Sequence, residues 1–477
     1  MREGINPKTS ELAEVLRVVL SALSETAVPF CILRNYEHLP DYTAHDVDIL
    51  IALGRLKQAR ETVRRTASGC GWRLAAEKRG RVETSMYFYC DSSETVQYLT
   101  FDLVTDLRWG WMPTVNVSHI FETCRIHNGI RVASCGCDAA MRLAKALRRG
   151  MPIKTKARRK IRDGARSGPA DFLRTFNGFV DPALASKILS LCQNGDFEQL
   201  ASLSLRRRLC LSVFKNAHCK QFLQNSARLC GYTYDRAMRH RAPLGLCVAF
   251  LGPDGAGKTT LTRSLAQHEG ILFWRGCRIY HHEFGILPRL RNVAKPLVSL
   301  WPKKRRRFEM QGQTDEPNGP LKSLVNLAYY SIDYAAGHLV LWRLRRAGRL
   351  VLFDRYFYDA YFQQGYRNTP RWLIDVFALF VPKPDVVIVL QANARDIHRR
   401  KPELSVRELE RQLAVAGELQ ERLDGRVPVV AVRTNASHES SRREICTAVL
   451  HALACRNYDR DGRTVAHDAA PAMESSQ

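Results

Sequence analysis

Nine consecutive residues, Gly252-Pro253-Asp254-Gly255-Ala256-Gly257-Lys258-Thr259-Thr260, carry the clearest chemistry in this sequence. Gly252, Gly257, Lys258 and Thr259 stand at the spacing G-x-x-x-x-G-K-[ST] of a phosphate-binding P-loop. Glycine at such positions lets the backbone curl, so that successive N–H groups converge on phosphate oxygens. The spacing predicts that Gly252, Gly255, Ala256, Gly257, Lys258, Thr259 and Thr260 hold the phosphates of ATP. Lys258 would reach the β- and γ-phosphates, and the Thr259 hydroxyl would ligate Mg²⁺. The surroundings agree. An apolar run from Leu244 to Leu251 leads into the loop, and Leu261 and Leu265 open a helix face whose positive N-terminal end also attracts phosphate.

A P-loop serves hydrolases, switches and kinases alike, and the next apolar strand separates them. Leu350-Val351-Leu352-Phe353 ends in Asp354-Arg355-Tyr356. A carboxylate at the C-terminal end of a strand sits beside the phosphate site, where it can hold Mg²⁺ or its waters or orient an acceptor. Hydrolytic ATPases commonly follow that Asp with a water-activating Glu. Here Arg355 follows, and an arginine suits bidentate contact with an anionic acceptor. No Asn-Lys-x-Asp motif for reading guanine is present. Phosphoryl transfer is therefore favoured over hydrolysis or GTP switching.

With these residues the C-terminal half resembles the thymidylate kinase family. The family has an acidic residue in its P-loop, as Asp254 is here, an Asp-Arg-aromatic strand end matching Asp354-Arg355-Tyr356, and a glutamine shortly after, matching Gln364. The strand from Pro384 to Leu390 resembles its next strand, and Arg399, Arg400 and Lys401 occupy the stretch of its arginine-bearing lid. The resemblance implies that Asp254 and Asp354 face the acceptor and Mg²⁺, that Arg355 holds the acceptor's anionic group, and that Arg399 and Arg400 neutralise the transferring phosphoryl. Two departures concern the acceptor side. The family's arginine on the helix before the Asp-Arg strand is missing from Tyr329-Tyr330-Ser331-Ile332-Asp333-Tyr334-Ala335, and Asp359 replaces its Ser. The expected acceptor is therefore a small anionic molecule, a nucleoside monophosphate or a sugar or sugar phosphate, and the departures weigh against dTMP itself. His281 and His282 read as ordinary polar residues near a strand end. The Lys303–Arg307 run reads as a solvated loop over an anionic site.

A second carboxylate set lies near the N-terminus. Asp46 and Asp48 sit at i and i+2 of an apolar run, so a strand would put both on one face, and Asp102 stands in a second such run. Three clustered carboxylates suit metal ions that activate an attacking oxygen. With Arg34-Asn35-Tyr36-Glu37 and Leu39-Pro40, this stretch resembles a divergent branch of the nucleotidyltransferase superfamily. That resemblance implies Asp46, Asp48 and Asp102 as metal ligands. The superfamily's Gly-Ser turn is replaced by Ala44-His45.

The elements that must position these residues follow from periodicity. Leu12, Val15, Leu16, Val19 and Leu20 predict an amphipathic helix over 10–24. Phe30–Leu33, Val47–Ile51 and Tyr98–Val104 read as strands. Arg349–Phe353, Asp385–Leu390 and Val427–Val432 are continuous apolar runs between helical patterns, the mark of a parallel sheet covered on both faces. The fold class is α/β: a C-terminal P-loop domain with a three-layer parallel sheet at 243–456, an N-terminal α+β nucleotidyltransferase-like domain at 1–145, a basic helical linker at 146–242, and a disordered tail at 457–477.

Composition bounds the partners. The 477 residues exceed one ordinary core. An apolar fraction of 45% argues against wholesale disorder, and 73 Lys plus Arg against 47 Asp plus Glu leave a net charge of +26 that attracts anions. The basic run Arg148 to Arg162 lacks interleaved aromatics, which disfavours single-stranded nucleic acid as partner. The two other readings are a nucleotidyltransferase working through Asp46 and Asp48, and an ATP-switched nucleic-acid or membrane-surface protein. A homodimer is left open. The 14 cysteines lack metal-ligand spacing, no apolar secretory segment follows Met1, and no run reaches the ~18 residues a membrane span needs. These features predict reduced thiols in a cytoplasmic protein.

Overall fold

The structure, a computed structural model, describes residues 7–43, 46–91, 96–109, 111–149, 153, 155–220, 226, 228–234, 245–268, 274–287, 319–423, 426–434 and 437–459. Ala44, His45, the Lys303–Arg307 run and the tail beyond Asp459 lie outside them. The chain divides into two compact units, one running to Arg241 apart from Asp91–Val96, the other from Ala242 onward.

The first unit is built on a mixed sheet. Its strands are β1 (Phe30–Ile32), β2 (Val47–Ile51), β3 (Arg73–Lys78), β4 (Glu83–Asp91), β5 (Val96–Val104), β8 (Arg125–His127) and β9 (Ile130–Val132), in the order β3-β4-β5-β2-β1-β9-β8. A small hairpin, β6 (Arg108–Trp109) with β7 (Met112–Pro113), stands apart from that sheet. The helix Pro7–Glu25 buries Val15, Leu16, Val19, Leu20 and Leu23 along one stripe, as its 3.6-residue period requires.

The segment expected to be a linker belongs instead to this unit. Ile161 and Ala165 of the helix Thr155–Ser167, Phe172, Ile188 of the helix Pro182–Asn194, and Leu205, Leu209 and Val213 of the helix Leu203–Lys220 join Cys31, Leu33 and Leu50 of the sheet region in one apolar cluster. The basic residues mislead because the helix Thr155–Ser167 exposes Lys156 and Arg159 and keeps Arg158, Lys160 and Arg162 half-buried around its apolar stripe. A β-carbon on Gly164 would meet the Cys135 carbonyl oxygen at 2.4 Å, so glycine there lets this helix approach the helix Cys135–Arg149 closely.

The second unit is a five-stranded, wholly parallel sheet: β10 (Leu246–Leu251), β11 (Cys277–Tyr280), β12 (Leu350–Phe353), β13 (Val386–Gln391) and β14 (Val429–Arg433), ordered β11-β12-β10-β13-β14. Every residue of β10 and β12 is buried, as expected of strands covered by helices on both faces. The helix Lys258–His268 follows β10 directly, and the 27-residue helix Pro320–Arg346 precedes β12. The last helix, His438–Asp459, runs past residue 457, where the sequence suggests a disordered tail; its Leu450 and Leu453 are buried. Among the described residues no helix is long and apolar enough to cross a membrane.

Candidate functional site

Strand register assembles the site in the second unit. β10 and β12 pair in parallel with Ala249 opposite Phe353, so the loop after β10 and Asp354 after β12 emerge at the same sheet edge. Gly252, Gly255 and Gly257 all have positive φ (144°, 91° and 96°), the curled backbone that the glycine spacing demands. Ala256 is buried beneath the loop. Thr259 and Thr260 lie in the first turn of the helix Lys258–His268, into which the loop leads.

Lys258, 6% exposed, folds back onto its own loop, donating to the carbonyls of Gly252 at 2.5 Å and Pro253 at 3.0 Å and lying 3.5 Å from Asp254. Burial lowers its pKa, against the raising effect of Asp359 and Asp254. Asp254 also receives Arg355. Burial alone would raise the Asp254 pKa, but Lys258 and Arg355 outweigh it and hold the carboxyl below its usual value. Thr259 Oγ1 donates to Asp354 Oδ2 at 2.7 Å, and His281 Nδ1 reaches the same oxygen at 2.8 Å. The other oxygen, Asp354 Oδ1, is buried with no hydrogen-bond partner among the described residues.

These groups fit ATP and Mg²⁺. The loop offers a backbone curled at three positive-φ glycines and a lysine. Thr259 and Asp354 offer hard oxygen donors, one of them an orphaned carboxylate oxygen. Mg²⁺ in such sites takes one or two protein ligands and fills its shell with waters and phosphate oxygens.

The lid residues divide. Arg399, at the end of the helix Ala394–Arg400, is exposed and pairs with Asp396 at 3.6 Å, and Arg400 is exposed too. Lys401 is the basic residue nearest the loop: its Cβ would lie 3.3 Å from a β-carbon on Gly255, and its charge helps lower the Asp254 pKa.

Three residues acquire roles that their sequence neighbourhood did not reveal. Asp359, where the resemblance expects a Ser, is fully buried beside Lys258. Burial pushes its pKa up to about 7, and its Oδ1 has no partner among the described residues. Asp333 is fully buried in the helix Pro320–Arg346 and accepts backbone N–H bonds from Phe284, Gly285, Ile286 and Leu287. The helix position where an arginine was sought thus anchors the loop after β11. His281 joins Asp354, a contact that no spacing rule encodes.

In the first unit, β2 and β5 are parallel with Asp48 directly opposite Asp102. Arg34 binds both carboxylate oxygens of Asp48, with Nε to Oδ2 at 2.6 Å. Burial raises the Asp102 pKa to about 6, helped by Asp48 and Asp46. Asp46 is exposed. Among the described residues no three His, Cys, Asp or Glu side chains stand together as a metal site. The geometry is an ion pair beside the half-buried Asp102 carboxyl, because the group that Asp48 binds is a guanidinium.

No protein-family model matches the chain. Thymidylate kinases of Xanthomonas campestris pv. campestris strains B100 and 8004 are each 30% identical over 148 residues, 31% of this chain and 56% of theirs. The chain thus spans about half the length of the curated relatives it matches. Among solved structures, thymidylate kinase from Ehrlichia chaffeensis aligns at TM-score 0.29 and 15% identity, over 43% of this chain and 97% of that one. Deoxyadenosine kinase from M. mycoides with bound dCTP aligns at 0.27 and 14%, over 42% and 96%.

Proposed function

We propose that the second unit is an ATP- and Mg²⁺-dependent kinase that transfers a phosphoryl group to a small anionic acceptor, a nucleoside monophosphate or a sugar or sugar phosphate. One observation carries this reading. The consecutive residues Asp354 and Arg355 engage opposite ends of the P-loop, Asp354 through Thr259 and Arg355 through Asp254. A carboxylate suited to Mg²⁺ and a guanidinium suited to an anionic acceptor are thereby held at the two ends of the loop. The similarity to thymidylate kinases over 148 residues supports the same reading.

Lys258 leaves the loop carbonyls for the β- and γ-phosphates when ATP enters. Thr259 and Asp354 are the residues that would hold Mg²⁺, which when bound neutralises phosphate charge. Arg355 exchanges Asp254 for the acceptor's anionic group, and Lys401 adds positive charge over the loop. Catalysis of this kind is mainly positioning and electrostatics. The test is ATP consumption over a panel of nucleoside monophosphates, sugars and sugar phosphates, with Lys258→Ala as control. Turnover that persists in Lys258→Ala sinks the proposal.

A second reading assigns nucleotidyl transfer to the first unit, on the strength of Asp48 standing opposite Asp102. It requires Arg34 to release Asp48. Its mark is pyrophosphate release that disappears in Asp48→Asn.

A further inference from the structure

We infer that His282 recognises the phosphoryl acceptor, its ring Nδ1 hydrogen-bonding a hydroxyl or amide of a small molecule whose anionic group rests on Arg355. The inference rests on the kinase reading and specifies the acceptor chemistry of the same site.

The first observation is an orphaned nitrogen. His282 Nδ1 is buried and has no hydrogen-bond partner among the described residues. Buried side-chain nitrogens in folded proteins nearly always have partners, so this nitrogen beside the proposed phosphate site is open to a bound water or to a polar group of a ligand. The second is the backbone. His282 has φ +72°, in the left-handed region that side chains bearing a β-carbon avoid. Such conformations persist only where the surroundings over-determine them, and they cluster at functional sites.

The surroundings here are specific. The helix Pro320–Arg346 grips the whole turn: Tyr334 Oη donates to the His282 carbonyl at 2.5 Å, and Asp333 binds the N–H groups of the four residues from Phe284 to Leu287. Tyr330 packs edge-on against the imidazole at 4.5 Å between ring centroids, which fixes its plane. On the other side of the turn, Asp354 N–H donates to the Tyr280 carbonyl and His281 binds the Asp354 carboxylate, which ties the turn to the phosphate site. The histidine is therefore held in place from both sides while one ring nitrogen has no partner among the described residues.

Its charge state narrows the ligand. Burial, then the nearby charge of Arg355 and then His281, push the His282 pKa down to about 4, so the ring is neutral near pH 7. A neutral imidazole offers one donor and one acceptor nitrogen. It suits a hydroxyl or amide and does little for a phosphate, which falls to Arg355. An acceptor that uses both is an anionic molecule with a polar neutral group nearby, such as a sugar phosphate or a nucleotide.

The experiment compares the full-length protein with His282→Gly and His282→Asn. Both replacements tolerate positive φ, so neither forces the turn to refold. Steady-state kinetics over the acceptor panel, with calorimetric binding of the acceptor that turns over fastest, should show the acceptor KM and Kd of His282→Gly raised roughly tenfold or more. The KM for ATP and the thermal midpoint should stay at the wild-type values, and His282→Asn should recover part of the loss through its amide. An analogue lacking the recognised hydroxyl or amide should bind wild type and His282→Gly alike. An unchanged acceptor KM in His282→Gly overturns the inference and leaves the kinase reading standing. So does a loss shared equally by ATP or accompanied by a fall in thermal midpoint, which marks a merely structural histidine. If the wild-type protein binds ATP but phosphorylates and binds none of the panel, the kinase reading and this inference fall together.

Discussion

Thr259 donates its hydroxyl to Asp354 at 2.7 Å across 95 positions of sequence. The contact exists because β10 and β12 are parallel neighbours whose ends align, so the first turn of the helix after β10 faces the carboxylate after β12. It also leaves one Asp354 oxygen buried and without a partner among the described residues. That oxygen is the atom to which the proposed Mg²⁺ would bind.

Asp354→Asn keeps the size of the side chain and removes its charge. Phosphoryl transfer should fall by about 10² or more in kcat, the usual scale for losing a preorganised electrostatic group. The Mg²⁺ concentration needed for half-maximal rate should rise. Kinetics over a Mg²⁺ titration checks both, and an unchanged Mg²⁺ dependence assigns the cation elsewhere.

Gly255→Ala tests the cradle. The new methyl would sit 3.0 Å from Ile397 Cγ2 and 3.3 Å from Lys401 Cβ, at a φ of +91°. The loop must then deform or push the helix Ala394–Arg400 outward. ATP affinity measured by calorimetry should drop at least tenfold, which is about 1.4 kcal/mol. Acceptor binding measured without ATP should change little.

Asp333→Asn tests the anchor of the 284–287 turn. The carboxylate accepts two backbone N–H groups on each oxygen. An asparagine keeps one oxygen and turns an NH₂ group toward the other two donors. Facing those donors, buried at Phe284 and part-buried from Gly285 to Leu287, with an NH₂ group should cost on the order of 1–3 kcal/mol. Denaturant unfolding measures that loss. In whatever fraction remains folded, the acceptor KM should rise more than the ATP KM.

Asp359 links stability to pH. Its folded pKa of about 7 lies above the 3.8 of an ordinary Asp, because burial disfavours the charged form. Between those values the folded protein keeps a proton that the unfolded chain has released. This group's contribution is therefore full below about pH 4 and is lost as pH rises through about 7. Asp359→Asn removes that dependence. The stability of the variant relative to wild type should increase from pH 4 to pH 7 in denaturant melts, and parallel profiles would contradict the assignment.

The sequence by itself determined the glycine loop and the strands around it. A curled backbone needs glycine at fixed local spacing, and a strand buried on both faces needs an unbroken apolar run, so Gly252 to Thr260, Leu246–Leu251, Leu350–Phe353 and Val386–Gln391 are all legible without a fold. Local charge pattern was a poorer guide. The basic residues from Lys156 to Arg162 suggested a linker, yet Ile161 and Ala165 of the same helix join the core of the first unit.

Only the tertiary structure decided which charges face one another. Asp48 has the spacing of a metal ligand, but Arg34, 14 residues away, occupies it. Asp333 looked like the site of a lost arginine, and it proves to be the anchor of a turn some 48 residues earlier. Asp333 bonds to backbone N–H groups, which every residue but proline possesses, so its partners leave no trace in side-chain identity. His281 meets Asp354, and His282 has a nitrogen without a partner among the described residues, for a related reason. A histidine's role is set by what the fold puts within 3 Å of its ring, and chain spacing carries no record of that distance.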